Sequence, residues 1–219
     1  MKPKSITVVR HGFSNANKEK DVYIHTPDYA ITLASEGIPD VEMTAKQLAV
    51  IFPGKMDVYC STYFRTQQTL EIIQRFKSFE NVYFDPRVRE QEWGNKLGHG
   101  FNYDYEVERK AYGHFYWRYP NGESCADVYN RVCGFVTDLF INNTAEDVMI
   151  VGHGMTNRVI VMRLMNLTVE EFELLANPKN AEYAILSLDE KQQYNLITEK
   201  KQYESHNHPF QYSNFPLPQ

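Results

Sequence analysis

Short apolar runs alternate with longer segments of helical period along this chain. The runs at 6–9, 57–60, 81–84 and 148–151 are of strand length and lack polar alternation, the pattern of strands buried on both faces. The segments between them predict helices. Residues 35–51 carry Ile38, Val41, Leu48 and Ile51, and residues 65–76 carry Leu70, Ile72 and Ile73. The period is clearest over 124–140, where Val128, Val132, Phe135, Val136 and Leu139 form one stripe, and 157–165 reads as a mostly buried helix. Strand then helix, repeated, predicts an α/β fold with a mostly parallel sheet covered on both sides. Near the end, 183–188 and 194–198 flank the polar turn 189–192 and predict a hairpin at the sheet edge.

Two segments break the repeat. Between Gly94 and Pro120 the chain is polar and glycine-containing, yet Phe101, Tyr103, Tyr105, Tyr112, Phe115, Tyr116, Trp117 and Tyr119 fall within it. An excursion of this length, 95–119, reads either as a lid over a binding site or as a small subdomain held by its own rings. The tail 202–219 is polar, aromatic and without period, so it is expected to be irregular.

Composition narrows the class. At 219 residues with no linker-like stretch, one domain spanning 1–219 is expected, and 42% hydrophobic content with 14% aromatic residues is incompatible with a disordered chain. A net charge of −5 argues against a nucleic-acid partner bound through a broad basic face. No run reaches the ~20 apolar residues of a membrane span, and Met1 leads into the first strand without a signal-peptide pattern, so a cytoplasmic protein is expected. Cys60, Cys125 and Cys133 lack disulfide or zinc spacing and read as small buried hydrophobes. His206 and His208 have no acidic or thiol partner nearby in the sequence and read as solvated, so neither a metal nor a cofactor is expected.

Chemistry gathers where the predicted strands end. Arg10, His11 and Gly12 follow the first run, with Ser14 and Asn17 just beyond; Gly152, His153 and Gly154 follow a late one. Ligands of parallel sheets collect at the carboxyl ends of strands, and two histidines placed this way are hard to explain by packing. After the run 57–60, Ser61 or Thr62 is expected to cap a helix with Arg65 in or near its first turn, an anion site. Arg10, His11, Arg65 and His153 together would form a positive pocket for a tetrahedral dianion, since guanidinium groups match phosphate oxygens bidentately. Phosphoryl transfer to an imidazole then needs a carboxylic acid for the leaving oxygen. Spacing alone leaves Glu90 and Glu92 as equal candidates.

The ordered set Arg10-His11-Gly12, residues 61–69 with Arg65, Glu90 before Gly94, Gly122-Glu123-Ser124 and Gly152-His153-Gly154 resembles the histidine phosphatase superfamily, also called phosphoglycerate mutase-like. The resemblance implies a three-layer α/β/α fold with His11 as phosphorylated nucleophile. It places the phosphate-holding groups on Arg10, Arg65 and His153, and the acid on Glu90, because Val88, Glu90 and Gly94 reproduce the family's acid-motif spacing. Substrate contacts are then expected from Gly12, Ser14, Asn17, Gly154 and, from the excursion, Arg118. The stretches 85–95, 112–118 and 120–129, with Asn177, Pro178 and Asn180, look like the broad-range acid phosphatase branch. A small phosphorylated substrate follows from that likeness, while the oligomeric state is left open, a homodimer included. Phe13 stands where many members have glutamate, Met155 where many have a polar residue, and the excursion lacks the paired arginines of the mutases. The reading that results is metal-independent phosphomonoester hydrolysis. A phosphoglycerate mutase and a non-catalytic phospho-ligand module are its competitors.

Overall fold

In a computed structural model the chain is described over residues 2–94 and 105–198. Six strands form one sheet: β1 (Ser5–Arg10), β2 (Asp57–Cys60), β3 (Val82–Phe84), β4 (Asp147–Gly152), β5 (Tyr183–Leu188) and β6 (Tyr194–Leu196). Their order is β3-β2-β4-β1-β5-β6. β1, β2, β3 and β4 run parallel, and β5 and β6 add the antiparallel hairpin at one edge. The mostly parallel α/β sheet is therefore as expected.

Alternation across the central strands builds two cores. Ile6, Val8, Val148 and Ile150 face one layer, and Val9, Met149 and Val151 face the other. The first layer holds the long helix Cys125–Asn142, whose Val128, Val132, Phe135, Val136 and Leu139 are all buried, and the helix Gly154–Met165. Each such side chain contributes roughly 1.5–3 kcal/mol on leaving water. The second holds the helices Ile38–Ile51 and Phe64–Gln74 through Val41, Ala45, Leu48, Leu70 and Ile73. Cys60 and Cys125 are buried, Cys133 is half-buried, and all three thiols are free.

Four expectations are corrected. β3 is an exposed edge strand rather than one buried on both faces, since Val82, Tyr83 and Phe84 each retain at least 38% of their surface. Ile38 and Ile51 lie in the solvated end turns of their helix, whose buried stripe is completed by Thr44 and Ala45 instead. The helix predicted from 157 starts at Gly154, with His153 in extended conformation as its N-cap. Neither Ser61 nor Thr62 caps the following helix; Tyr63 stands at that position, without a side-chain bond. Residues 95–104 of the excursion and the whole tail, including His206 and His208, lie outside the described residues. The described part of the excursion is a short helix, Glu106–Tyr112, followed by an aromatic cluster in which Phe115, Trp117 and Tyr119 are buried. Among the described residues no helix is long and apolar enough to cross a membrane, and no group of His, Cys, Asp or Glu is arranged to hold a metal ion.

Candidate active site

Sheet register brings the two histidines together. Arg10 pairs with Gly152 at the ends of β1 and β4, and the His11 N–H donates to the Gly152 carbonyl at 3.0 Å. His11 and His153 thus leave the sheet side by side, with ring centroids 5.3 Å apart. β2 ends one strand over, where Ser61 N–H donates to the Val151 carbonyl and Ser61 Oγ lies 2.8 Å from His153 Nε2. Both imidazoles are buried, at 4% and 0% exposure. Burial first, then the positive charges of Arg65 and Arg10, hold both rings well below the usual histidine range, so both are neutral.

The tautomer of His11 follows from its partner. Its Nδ1 lies 2.7 Å from the Gly12 carbonyl, which only accepts, so Nδ1 carries the proton and Nε2 keeps a lone pair. The Gly12 N–H in turn donates to Thr69 Oγ1 at 3.0 Å, and that hydroxyl donates to the Arg65 carbonyl at 2.7 Å. Asn180 Nδ2 reaches the carbonyls of His11 and Gly12, both at 3.2 Å. The loop after β1 is therefore held from the neighbouring helix and from the segment before β5.

Two cations sit beside the ring. Arg10 donates from Nη1 to the Pro178 carbonyl at 2.6 Å, while its buried Nε has no hydrogen-bond partner among the described residues. Arg65 is 3% exposed, and its Nη1 is committed to Asp28, at 2.7 Å to the carbonyl and 2.8 Å to Oδ1. The expected positive pocket is thus partly neutralised on one flank. Burial raises the Asp28 carboxyl, opposed by Arg65. Asn17 is oriented by three donors on its Oδ1: the Ser14 N–H, the Ser14 hydroxyl and Asn180 Nδ2, at 3.0, 2.9 and 3.1 Å.

Glu90 resolves the choice between the two glutamates by position. It is 7% exposed, and its carboxyl oxygens meet the first turn of the helix Gly154–Met165, accepting from the N–H groups of Met155 at 3.4 Å and Thr156 at 3.3 Å. That is where a helix offers unpaired donors and partial positive charge. Glu92 is exposed. A pocket opens over this constellation, lined by Arg10, His11, Ser14, Asn17, Lys20, Tyr23, Arg65, Glu90 and Trp93.

A family model described as histidine phosphatase superfamily (branch 1) matches residues 6–198. The chain belongs to the histidine phosphatase superfamily. Among curated proteins it is similar to a phosphoglycerate mutase-like protein of Arabidopsis thaliana, AT74, 34% identical over 89% of this chain and 68% of that one. A broad-range acid phosphatase of Saccharomyces cerevisiae, DET1, is 39% identical over 48% of this chain and 34% of its own. The fold is shared with a mycobacterial glucosyl-3-phosphoglycerate phosphatase, at TM-score 0.72 and 22% identity over 88% of this chain and 96% of that chain.

The structure brings together most of the residues singled out from sequence. Arg10, His11, Ser14, Asn17, Arg65 and Glu90 line one pocket, and His153 stands against His11. Gly154 begins its helix against the Arg10 guanidinium, and Gly12, in the loop that carries His11, is packed so closely against Val41 that a Cβ would lie 2.5 Å from its Cγ2. Arg118 is elsewhere: its guanidinium donates to Asp127 at 2.6 Å and to the Gly122 carbonyl at 3.0 Å, and it is not part of the pocket lining. Asp28, Thr69, Lys20, Tyr23 and Trp93 escaped the sequence reading, as did the role of Ser61 beside His153. Thr69 closes the 61–69 stretch and Trp93 lies within the 88–94 motif, the two signals available, while Asp28, Lys20 and Tyr23 stand in no recognisable pattern.

Proposed function

We propose that this chain hydrolyses phosphomonoesters without a metal ion, through a phosphate carried covalently on His11. The observation that carries this reading is the neutral His11 ring, whose Nδ1–H is fixed on the Gly12 carbonyl. That leaves Nε2 as a nucleophile between two guanidinium groups. In the first step the Nε2 lone pair forms a bond to phosphorus as the P–O ester bond breaks, and Glu90 gives its proton to the departing oxygen. Arg10, with its unspent Nε–H, and Arg65 neutralise the equatorial oxygens, the role that a metal ion fills in other phosphotransferases. His153 assists through Nδ1–H. In that tautomer the Ser61 hydroxyl donates to His153 Nε2 at 2.8 Å, and the buried Nδ1–H, which has no hydrogen-bond partner among the described residues, is the one left for a phosphate oxygen. In the second step water attacks phosphorus, the N–P bond breaks, and the Glu90 carboxylate takes the proton.

A small phosphorylated substrate is the partner class that fits, with Lys20, Tyr23 and Trp93 meeting the alcohol portion. Hydrolysis is preferred to mutase chemistry because the excursion has no paired arginines to hold a substrate carboxylate, and Arg118 donates to Asp127 instead. A panel of phosphorylated metabolites, scored separately for free phosphate and for 3- to 2-phosphoglycerate conversion, tests the assignment. Phosphate release that survives a chelator is expected, with a labelled, alkali-stable phosphoenzyme in the wild type and none in His11→Ala, whose turnover should fall at least ~10³-fold. Interconversion outpacing release would make the enzyme a mutase.

A further inference from the structure

The Glu90 side chain enters the pocket from irregular backbone, and what holds that backbone lies outside the pocket altogether. Arg131, on the helix Cys125–Asn142, turns its guanidinium under the segment 87–92. All five of its N–H donors have acceptors. Nη1 donates to the carbonyls of Arg87 at 2.5 Å and Arg89 at 3.0 Å; Nη2 donates to the Glu90 carbonyl at 3.1 Å and to Glu123 Oε2 at 3.0 Å; Nε donates to Glu123 Oε1 at 3.0 Å. Glu123 extends the grip. Its carboxylate accepts from Arg89 Nη2 at 2.8 Å and the Glu92 N–H at 3.0 Å, its N–H donates to the Glu92 carbonyl, and its own carbonyl accepts from Gln91 Nε2 at 2.8 Å. Burial alone would raise the Glu123 carboxyl, but the bonds and charge of Arg131 hold it below the usual carboxylate range, so it is an anion.

We infer that Arg131 and Glu123 are positioning residues that set the Glu90 carboxyl group against the leaving-group oxygen. The inference rests on Glu90 being the proton donor. A planar fork reading three carbonyls and one carboxylate at once fixes both translation and tilt of the segment, which a lysine's point charge cannot do. Proton transfer depends steeply on placement, and an error of about 1 Å costs on the order of 10²-fold in rate. The groups that hold phosphate, Arg10, Arg65 and His11, are not bonded to either residue, so substrate binding is separable from proton delivery.

Arg131→Lys, Glu123→Gln and Glu90→Gln are compared on an alkyl phosphate, whose leaving group needs the proton, and an aryl phosphate, whose leaving group does not. Expected for Arg131→Lys and Glu123→Gln is a kcat loss of roughly 10- to 100-fold on the alkyl ester, a loss under about threefold on the aryl ester and an unchanged KM. Combined with Glu90→Gln, neither should add a further loss, because all three act through one group. Glu123→Gln keeps the shape of the segment, so it carries the test if Arg131→Lys does not fold. Equal losses on both esters in the clamp variants, with Glu90→Gln still selective, would overturn the positioning role alone. Equal losses in Glu90→Gln itself would overturn the proton-donor reading first, and this inference with it.

Discussion

The two halves of the pocket are held in place by different means. His11, Arg10 and His153 stand at the ends of neighbouring parallel strands, and their spacing is set by the register of β1 on β4. The ladder itself is backbone to backbone, and beyond it the loop after β1 is tied by side chains, Thr69 to the Gly12 N–H and Asn180 to the carbonyls of His11 and Gly12. Glu90 follows a short 3₁₀ turn, Pro86–Val88, after an exposed edge strand, and is held instead by Thr156, Arg131 and Glu123 through side-chain bonds. His11, at the carboxyl end of a central strand, has its place set chiefly by sheet register. An acid on irregular chain depends on residues remote in sequence.

Among changes outside the reacting groups, breaking the acid half at the Gly94 turn should give the largest effect. Gly94 has φ +53°, and a Cβ there would lie 2.2 Å from the Pro120 carbonyl oxygen. Gly94→Ala is expected to lower unfolding free energy by about 2–3 kcal/mol and to depress alkyl-ester turnover more than aryl-ester turnover, read by denaturant melts and paired assays. An unchanged ester ratio would show that the acid half is not tied to this turn.

The histidine half should announce itself in the pH dependence of stability. His11 and His153 have folded pKa values depressed well below the ordinary 6.5, so above that value both folded and unfolded forms are neutral and the two rings contribute no slope. As pH falls below 6.5 the unfolded chain binds protons that the folded rings refuse. Stability should then drop by up to roughly 1.4 kcal/mol per pH unit for each ring, until the folded pKa is reached. Melting temperatures from pH 8 to pH 5 check this, and His153→Asn should show a shallower fall. If His11 carries the phosphate as proposed, the same depression keeps its ring unprotonated on the acid side, and kcat/KM should persist below pH 6.5.

The smallest effect is expected outside both halves. Arg118→Ala removes an exposed ion pair with Asp127 and should change stability by no more than about 1 kcal/mol and kcat/KM by less than about twofold, by steady-state kinetics. A larger kinetic loss would return Arg118 to the substrate path.

Much of this arrangement was legible in the sequence. The apolar runs at 6–9 and 148–151 announce strands, the stripe from Val128 to Leu139 announces its helix, and a histidine after each strand points to the carboxyl edge of a parallel sheet. Glu90 was legible only through the family's motif spacing, since Glu92 has the same chemistry two residues on. Arg118 misled because an arginine among aromatic residues in an excursion resembles a substrate contact. Nothing in the sequence marks Asp127 as its partner.

The amino-acid sequence by itself determined the alternation of elements, the layers they bury and the residue types that handle phosphate, because periodicity and strand-end position are local properties of the chain. Tertiary structure alone decided which tautomer His11 adopts and that Asp28 takes one edge of Arg65, and it supplies the physical reason that Glu90 rather than Glu92 reaches the pocket. Those outcomes depend on carbonyls and guanidinium groups brought together from distant segments, as Arg131 is brought under residues 87–90. Burial and hydrogen bonding act on pairs of groups, and a linear pattern does not say which pairs will meet.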